Sequence, residues 1–289
     1  MRVAMLGFGL IGGSIARALA AWAPGAWRVV AWTPTGDGPS AAVADGVIAA
    51  AATCPEDALL DADLVVLAAP PMACVALLDD VAGPWRVLLG PHTVVTDVAS
   101  TKTAITLRAA ALGLPFVGGH PMAGSEQSGY AASSAELLVG RPWVIVPSAA
   151  PDRDARVRSL AQACRAEPLD MSAADHDRAV AAISHLPLVA AAALADSVAG
   201  GPDGQADDWP AARRLAAGGW RDMTRLARGD VAMGTGIATT NAAALAARVR
   251  AYIETLEGWA ADLEAEGGPD QDAIETRLRR ARASLESRP

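Results

Sequence analysis

A short apolar strand followed by a glycine-rich turn and a helix constrains the fold of this chain more than any other feature. The turn has the pattern Gly-x-Gly-x-x-Gly at Gly7, Gly9 and Gly12. Gly7 is expected to permit the turn out of the strand, Gly9 to let the backbone approach a pyrophosphate, and Gly12 to let the helix lie close to the sheet. The free N–H groups at the helix start then face the phosphates. The pattern predicts a dinucleotide site, against the alternative of a glycine-rich turn without a ligand.

Strand-like and helix-like segments alternate through the first half of the chain. The strand-like segments are continuous apolar runs, which are typical of a parallel sheet covered by helices on both faces. The predicted strands are Val3–Leu6, Arg28–Trp32, Leu64–Ala68, Val94–Asp97, Phe116–Val117, Trp143–Val146 and Pro168–Met171. The predicted helices include Met72–Val81, Lys102–Ala111, Asp152–Ala166 and Thr239–Glu266.

From Ser172 onward the strand signals stop and helical patterns take over. Ser172 and Asp175 have the spacing of a capping box, which predicts the start of a long helix that runs through His185. The chain is therefore predicted to be an α/β protein. A Rossmann-like doubly wound parallel sheet over residues 1–171 is expected to be followed by an all-helical C-terminal domain over residues 172–289.

The composition argues against several classes of function. The net charge of −8 disfavours nucleic acid and anionic membranes as partners. No apolar run reaches membrane-spanning length without a charge, glycine or proline, and the first residues predict a strand rather than a signal peptide. The three cysteines have no Cys-x-x-Cys spacing and are expected to be reduced core residues of a cytoplasmic protein. The four histidines show no metal-ligand spacing, so no metal site is predicted.

The end of the second strand bears on which dinucleotide is bound. In NAD-specific sites an acidic residue at this position binds the ribose 2′-hydroxyl group. Here the strand ends at Trp32 and is followed by Thr33, so no carboxylate stands there to repel a 2′-phosphate. Thr33 and Thr35 can hydrogen-bond a hydroxyl or a phosphate group, and Asp37 is a late substitute for the acid. The expected cofactor is NAD or NADP, with use of both or a preference for NADP.

Three polar stretches stand out from the apolar background. They are Thr96–Lys102, Gly118–Glu126 and Ile183–Pro187. The first two follow predicted strands, and ligands of open α/β sheets bind beyond the carboxyl ends of the strands. The third lies in the helical region. His120 and His185 thus lie in distinctive polar surroundings, one on each side of the expected cleft.

On these residues the chain resembles the prephenate and arogenate dehydrogenases of tyrosine biosynthesis, the TyrA family. The resemblance implies oxidative decarboxylation of prephenate to 4-hydroxyphenylpyruvate, or of arogenate to tyrosine. A hydride passes from the ring carbon that bears the hydroxyl group to the nicotinamide, CO2 leaves, and the ring becomes aromatic without need of a metal. The matching motifs, in the family's order, are GFGLIGGS (Gly7–Ser14), DVASTK (Asp97–Lys102), GGHPMAGSEQSG (Gly118–Gly129), RPW (Arg141–Trp143), DHD (Asp175–Asp177), SHLP (Ser184–Pro187) and GGWRDMTRLA (Gly218–Ala227).

The same resemblance implies the catalytic residues. His120 is expected to accept the hydroxyl proton, because a neutral imidazole is a base of suitable pKa at neutral pH. Ser100 is expected to hydrogen-bond His120 or the nicotinamide and to fix the tautomer of the imidazole. The alternatives are a turn histidine satisfied by the backbone, and a serine that caps the helix expected to start near Thr101.

The resemblance also implies a set of binding residues. Arg225 is expected to clamp a carboxylate with its planar guanidinium group, with Arg221 one turn earlier on the same face. The alternative for His185 is a core histidine whose hydrogen bonds are made within the protein. The alternative for the arginines is an ion pair with a nearby acid, and for the loop of Ser125 and Glu126 it is an ordinary solvated polar surface. The residues expected to bind the substrate are Ser125, Glu126, Ser184, His185, Arg221 and Arg225. Those expected to bind the cofactor are Gly7, Gly9, Leu10, Ile11, Gly12, Thr33, Ala69, Pro70 and Ser100.

Two other functions stay open on the sequence alone. A β-hydroxyacid dehydrogenase or imine reductase would carry a catalytic lysine in the helical domain, whereas the only lysine, Lys102, lies in the first domain. Lys102 is expected to contact a phosphate or a substrate carboxylate, or merely to occupy the first turn of its helix. A catalytically silent NAD(P)-binding sensor would lack a histidine or arginine that is present here. The helical domain is expected to pair into a homodimer, because isolated apolar helices leave surface to bury.

Overall fold

A computed structural model of the chain describes residues 1–125, 127–200 and 209–286. An eight-stranded sheet with flanking helices forms first, and further helices follow it. The strands are β1 (Arg2–Leu6), β2 (Arg28–Trp32), β3 (Ala50–Ala51), β4 (Leu64–Leu67), β5 (Val94–Asp97), β6 (Phe116–Pro121), β7 (Pro142–Val146) and β8 (Glu167–Asp170). The helices between them are α1 (Leu10–Trp22), α2 (Asp37–Ala44), α3 (Pro55–Leu59), α4 (Pro71–Ala82), α5 (Thr103–Ala111) and α6 (Pro151–Ala163).

The sheet has the strand order β3-β2-β1-β4-β5-β6-β7-β8 and is mostly parallel. β1 pairs in parallel with both β2 and β4, so the order of the strands reverses at this point. Ligands of such sheets bind at this switch point, beyond the carboxyl ends of the strands. Successive residues of each central strand enter two separate apolar clusters, one on each face; Met5 belongs to one and Leu6 to the other. The predicted fold class is confirmed.

The last strands depart from the predicted parallel arrangement. β6 continues through His120 to Pro121, four residues beyond its predicted end. Its first two residues pair in parallel with β5, whereas its last four pair antiparallel with β7, with His120 opposite Val144. The sequence signal is weak because glycine and proline are poor strand formers. Gly119 is needed here, since a Cβ atom would lie 2.7 Å from the carbonyl oxygen of Asp97.

The chain continues from β8 into a series of helices. The hydroxyl oxygen of Ser172 accepts a hydrogen bond from the backbone N–H of Asp175 (3.1 Å), which confirms the predicted helix start. The predicted single helix is interrupted by a π-helical turn, Ala181–His185, because Pro187 has no N–H group to donate to the carbonyl four residues earlier. The helices are α7 (Ala173–Val180), α8 (Leu186–Ala199), α9 (Trp209–Leu215), α10 (Gly218–Thr224), α11 (Val231–Thr240), α12 (Ala242–Leu263) and α13 (Gln271–Glu286).

The chain divides into two compact units, the first over Met1–Ala242 and the second beginning at Ala243. Helices α7 to α11 therefore belong to the same unit as the sheet, and the boundary between residues 171 and 172 stays a prediction. Within the second unit an ion pair between Arg277 and Asp262 joins α12 to α13.

One helical stretch, Ala173–Ala199, is long and apolar enough to cross a membrane by length and composition alone. The stretch contains Pro187 and several charged residues, so it agrees with the prediction that no apolar run of this length lacks a charge, glycine or proline. A core helix of a soluble protein has the same length and composition, so this property by itself assigns no location.

Candidate active site

The glycine-rich turn has the geometry that the sequence predicts for a dinucleotide site. Gly7 has a φ of +91°, and a Cβ atom on it would lie 2.4 Å from the carbonyl oxygen of Ala68. A Cβ atom on Gly12 would lie 3.2 Å from the Cβ atom of Ala68, so Gly12 brings α1 close to the sheet. A Cβ atom on Gly9 would meet no atom within 4 Å, which leaves room beside this backbone for a pyrophosphate.

The start of α1 presents N–H groups to that space. The first helical hydrogen bond runs from Gly13 N–H to the carbonyl oxygen of Gly9 (2.9 Å). The N–H groups before it have no acceptor within the helix and can bind a phosphate. They belong to the predicted cofactor residues Leu10, Ile11 and Gly12.

The other predicted cofactor residues lie beyond neighbouring strands. Ala69 and Pro70 follow β4, and the backbone nitrogen of Ala69 lies 3.0 Å from where a Cβ atom of the first motif glycine would be. The hydroxyl oxygen of Thr33 accepts a hydrogen bond from Gly36 N–H (3.0 Å), so its own hydrogen is left to donate. Asp37 is the exposed first residue of α2. This arrangement fits either a 2′-hydroxyl or a 2′-phosphate group.

His120 is held by a second histidine, which has no predicted role. His120 is 9 % exposed, and its Nδ1 atom lies 2.8 Å from Nε2 of His176. Nδ1 of His176 lies 2.8 Å from Oδ1 of Asp177. Nε2 of His120 has no hydrogen-bond partner among the residues described, and this atom is not fully buried. This nitrogen is therefore open to a ligand.

The carboxylate of Asp177 also caps α5. Oδ1 accepts a hydrogen bond from Lys102 N–H and Oδ2 from Thr103 N–H, both at 2.8 Å. Burial alone would raise the pKa of Asp177, but the hydrogen bonds from His176, Thr103 and Lys102 outweigh it and the pKa is lowered. Asp177 is therefore a carboxylate that accepts three hydrogen bonds.

Ser100 makes neither of the two contacts that are predicted for it within the protein. Its hydroxyl group bonds neither His120 nor the start of α5, which begins at Thr103 and is capped by the distant Asp177 instead. The protein side chain that bonds a ring nitrogen of His120 is that of His176. Ser100 is half-buried and its hydroxyl group makes no hydrogen bond within the described ranges. Its contact with cofactor or substrate stays a prediction.

Lys102 forms a fully buried ion pair with Asp97, and both side chains are 0 % exposed. Its ammonium group is therefore paired within the protein, and contact with a phosphate or a substrate carboxylate stays a prediction. Asp97 also accepts hydrogen bonds from Gly119 N–H and Ala99 N–H, each at 3.1 Å. Burial raises the pKa of Asp97, whereas Lys102 and these N–H groups oppose the rise. The pair fastens the loop after β5 to β6, one residue before His120.

Burial holds His120 in its neutral form. Burial is the largest cause that lowers its pKa well below the usual value, and the neighbouring His176, Lys102 and His185 lower it further. Asp177 has a weaker opposite effect. A neutral imidazole at physiological pH can accept a proton.

His185 is the last residue of the π-helical turn and is 1 % exposed. Its Nδ1 atom lies 3.1 Å from Nδ2 of Asn241, which also donates to the carbonyl oxygen of Asp177 (2.8 Å). Burial lowers the pKa of His185 to about 4, although Asp177 acts in the opposite direction. Both histidines thus connect to Asp177, one through its side chain and the other through its backbone.

The remaining predicted substrate residues that the structure describes lie at the surface. Arg225 is exposed and begins a 3-10 helical turn that packs against α8, the helix directly after His185. The oxygen of Ser125 accepts a hydrogen bond from Gln127 N–H (3.1 Å). Glu126 lies outside the described residues. The substrate contacts of all six residues stay predictions. The exposed members are Ser125, Ser184, Arg221 and Arg225.

Three residues of this cluster had no predicted role: His176, Asp177 and Asn241. The first two lie in the motif DHD, where a histidine beside an acid near a helix start is the available signal. Asn241 lies in the break between α11 and α12, where one continuous helix is predicted. An asparagine within an apolar helical pattern is unfavourable and is the signal for that break.

Comparison with known proteins places the chain among enzymes of one kind. The family model described as "Prephenate dehydrogenase, nucleotide-binding domain" matches residues 15–167, and the one described as "Prephenate dehydrogenase, dimerization domain" matches residues 172–275. Prephenate dehydrogenase of Bacillus subtilis is 33 % identical over 237 residues, which is 80 % of this chain and 62 % of that protein. The chain thus spans less than two thirds of this relative's length.

Two further relatives match nearly the whole chain. Cyclohexadienyl dehydrogenase of Zymomonas mobilis is 30 % identical over 285 residues, covering 91 % of this chain and 86 % of that protein. The crystal structure of Synechocystis arogenate dehydrogenase is 30 % identical, with a TM-score of 0.75 and coverage of 99 % of this chain and 100 % of that chain. The similarity therefore includes the sheet and the helices that follow it.

Proposed function

The chain belongs to the prephenate dehydrogenase family, and on this premise we propose that it catalyses the NAD(P)-dependent oxidative decarboxylation of prephenate or arogenate. The products are 4-hydroxyphenylpyruvate and tyrosine, respectively. The hydrogen-bonded chain His120–His176–Asp177 is the observation that carries this proposal. NAD(P)+, when bound at the glycine-rich turn, supplies the acceptor for the hydride.

The chain of hydrogen bonds determines which nitrogen of His120 acts as the base. The Asp177 carboxylate can only accept, so Nδ1 of His176 carries a hydrogen and Nε2 of His176, in the neutral ring, has a lone pair. That lone pair accepts from Nδ1–H of His120, which leaves Nε2 of His120 with the lone pair. The accessible nitrogen is thus the one that takes the substrate's hydroxyl proton.

The rest of the site supports this reaction over the alternatives. The loops after β4, β5 and β6 lie at one edge of the sheet, because neighbouring parallel strands end there. An imine reductase or β-hydroxyacid dehydrogenase would need a lysine near the reacting atoms, whereas the only lysine is buried in an ion pair. A sensor without catalytic activity would not require a histidine that is kept neutral and able to accept a proton.

We further propose a homodimer formed through the helical domain, in the cytoplasm. The matching family model is described as a dimerization domain. Only 22 % of the most apolar window of Ala173–Ala199 is buried within the chain, which leaves apolar surface for a second copy.

Reduction of the cofactor tests the proposed activity directly. Purified protein is mixed with prephenate or arogenate and with NAD+ or NADP+, and the absorbance of the reduced nicotinamide is followed. The His120→Asn variant is expected to lower kcat by about 10²- to 10⁴-fold, the usual contribution of a general base, with cofactor affinity unchanged. His92→Asn is the matched control, since His92 is exposed and lies before β5, away from the cluster. No reduction with either acid would contradict the proposal.

A further inference from the structure

Asn241 makes two hydrogen bonds with one nitrogen. Nδ2 donates to the carbonyl oxygen of Asp177 (2.8 Å) and lies 3.1 Å from Nδ1 of His185. A backbone carbonyl only accepts hydrogen bonds, so the amide nitrogen, and not the amide oxygen, faces Asp177. An amide nitrogen has two hydrogens, and the second one points at His185. Asn241 is 6 % exposed, so water does not compete for these positions.

The second hydrogen of Asn241 fixes the tautomer of His185. Because Nδ1 of His185 accepts this hydrogen, it holds a lone pair, and the neutral ring carries its hydrogen on Nε2. Nε2 is buried and has no hydrogen-bond partner of ordinary geometry in the described part of the chain. The backbone of Ser100 raises the pKa of His185, which is the effect of a carbonyl oxygen that faces the Nε2–H group. The two groups do not form a hydrogen bond of ordinary geometry, so the Nε2–H donor is left unsatisfied.

The Nε2 atoms of His120 and His185 therefore have opposite hydrogen-bonding roles. His120 directs a lone pair toward the ligand space through Nε2, whereas His185 has a hydrogen on its Nε2 atom. Both assignments start from Asp177, whose side chain orients His176 and whose carbonyl orients Asn241. A buried donor that lacks a partner requires an acceptor, and an oxygen of the bound acid is of the right chemistry.

We propose that Asn241 is a positioning residue that holds His185 as an uncharged Nε2–H donor, and that an oxygen atom of the substrate completes this donor. The proposal rests on the proposed function for the identity of the substrate. The tautomer itself is a property of the free protein. Hydrogen bonding by an uncharged donor, rather than attraction by an imidazolium, is thus how His185 recognises its ligand.

Nitrogen NMR of the free protein tests the tautomer without any reaction. The protein is labelled with ¹⁵N-histidine, and the signals of its four histidines are assigned from single variants. The wild-type signal of His185 is expected to show a hydrogen on Nε2 and a bare Nδ1. A hydrogen on Nδ1 of His185 in the wild type would overturn the proposal, whether or not the protein reduces NAD(P)+.

Two variants of Asn241 then test its role. Asn241→Asp places an acceptor beside Nδ1 and is expected to move the hydrogen of His185 to that nitrogen. Asn241→Leu removes the donor without adding an acceptor and is expected to give a mixture of tautomers, which keeps the test open if the aspartate variant does not fold. A wild-type tautomer ratio in the leucine variant contradicts a positioning role for Asn241.

Ligand binding tests the acceptor. Addition of 4-hydroxyphenylpropionate to the labelled wild-type protein is expected to shift the Nε2–H signal of His185. An unshifted signal at saturating ligand would overturn this part of the proposal. In turnover, Asn241→Leu is expected to raise KM for the acid by about tenfold, the effect of one lost hydrogen bond, with KM for NAD(P)+ unchanged. A change confined to the cofactor KM contradicts it.

Discussion

Replacement of His176 tests whether the second histidine sets the proton chemistry of the first. His176 is 1 % exposed and its Nε2 atom lies 2.8 Å from Nδ1 of His120. In His176→Phe the Nδ1–H group of His120 loses its acceptor inside the protein. A buried donor left unsatisfied costs about 1–3 kcal/mol. The free enzyme avoids this cost when the hydrogen of His120 moves to Nε2, where it blocks the base. The reactive tautomer is then less stable by the same free energy, and kcat is expected to fall by roughly 5- to 150-fold.

The pH profile separates a proton role from a packing role. Protonation of His120 removes the base, so kcat/KM falls on the acid side as the pH drops through its lowered pKa. Burial is the main cause of that lowering and His176 is the next. His176→Phe removes both this charge effect and the hydrogen bond to His120, so the acid limb is expected to move from its wild-type pH.

His176→Gln is the matched variant, because its amide oxygen can accept from His120 although the bond to Asp177 is lost. It is expected to lose less than about tenfold in kcat, as a net hydrogen bond is worth about 1 kcal/mol. Steady-state rates of NAD(P)+ reduction with prephenate and arogenate measure both variants. Equal losses in the two variants, with the acid limb at its wild-type pH, would refute the argument.

Two further predictions concern stability, measured by denaturant unfolding. Gly7→Ala is expected to destabilise the fold more than Gly25→Ala does. Both glycines have positive φ angles, but only at Gly7 would the added Cβ atom meet the backbone, 2.4 Å from the carbonyl oxygen of Ala68. Comparable losses at the two positions would contradict the role given to this contact. Lys102→Met leaves its buried carboxylate partner unpaired and is expected to cost about 3–5 kcal/mol. Arg108→Met removes a half-exposed ion pair and is expected to cost less than about 1 kcal/mol, so a similar small loss for Lys102→Met would be the opposing result.

The parts of the fold that local sequence controls were predictable. The glycine-rich turn depends on three residues and the strand before them, and its predicted geometry is observed at Gly7 and Gly12. The helix start at Ser172 depends on a side chain three residues from its partner. The continuation of β6 beyond Val117 is not predictable from the sequence, because it depends on pairing with β7. The residues Gly118 and Gly119 have no preference for a strand that would indicate this pairing.

The hydrogen bonds of the site were not predictable in the same way. His120 and His176 are 56 residues apart, as are Asn241 and His185. A polar residue far along the chain offers no local pattern, and only the packing of α7 and α11 near the sheet brings these side chains together. The resemblance pointed to His120, and it offered Ser100 either the nicotinamide or the contact with His120 that His176 makes.

The mixed pairing of β6 has an evolutionary consequence. The strand that carries His120 pairs in parallel at its beginning and antiparallel toward its end, so the sheet, and not a loop, holds the residue proposed as the base. Under the proposed function, substitutions in the polar segment that follows Pro121 would change which acid is accepted without displacing His120. A lineage can thus exchange one cyclohexadiene for another while its acid–base chemistry is inherited intact.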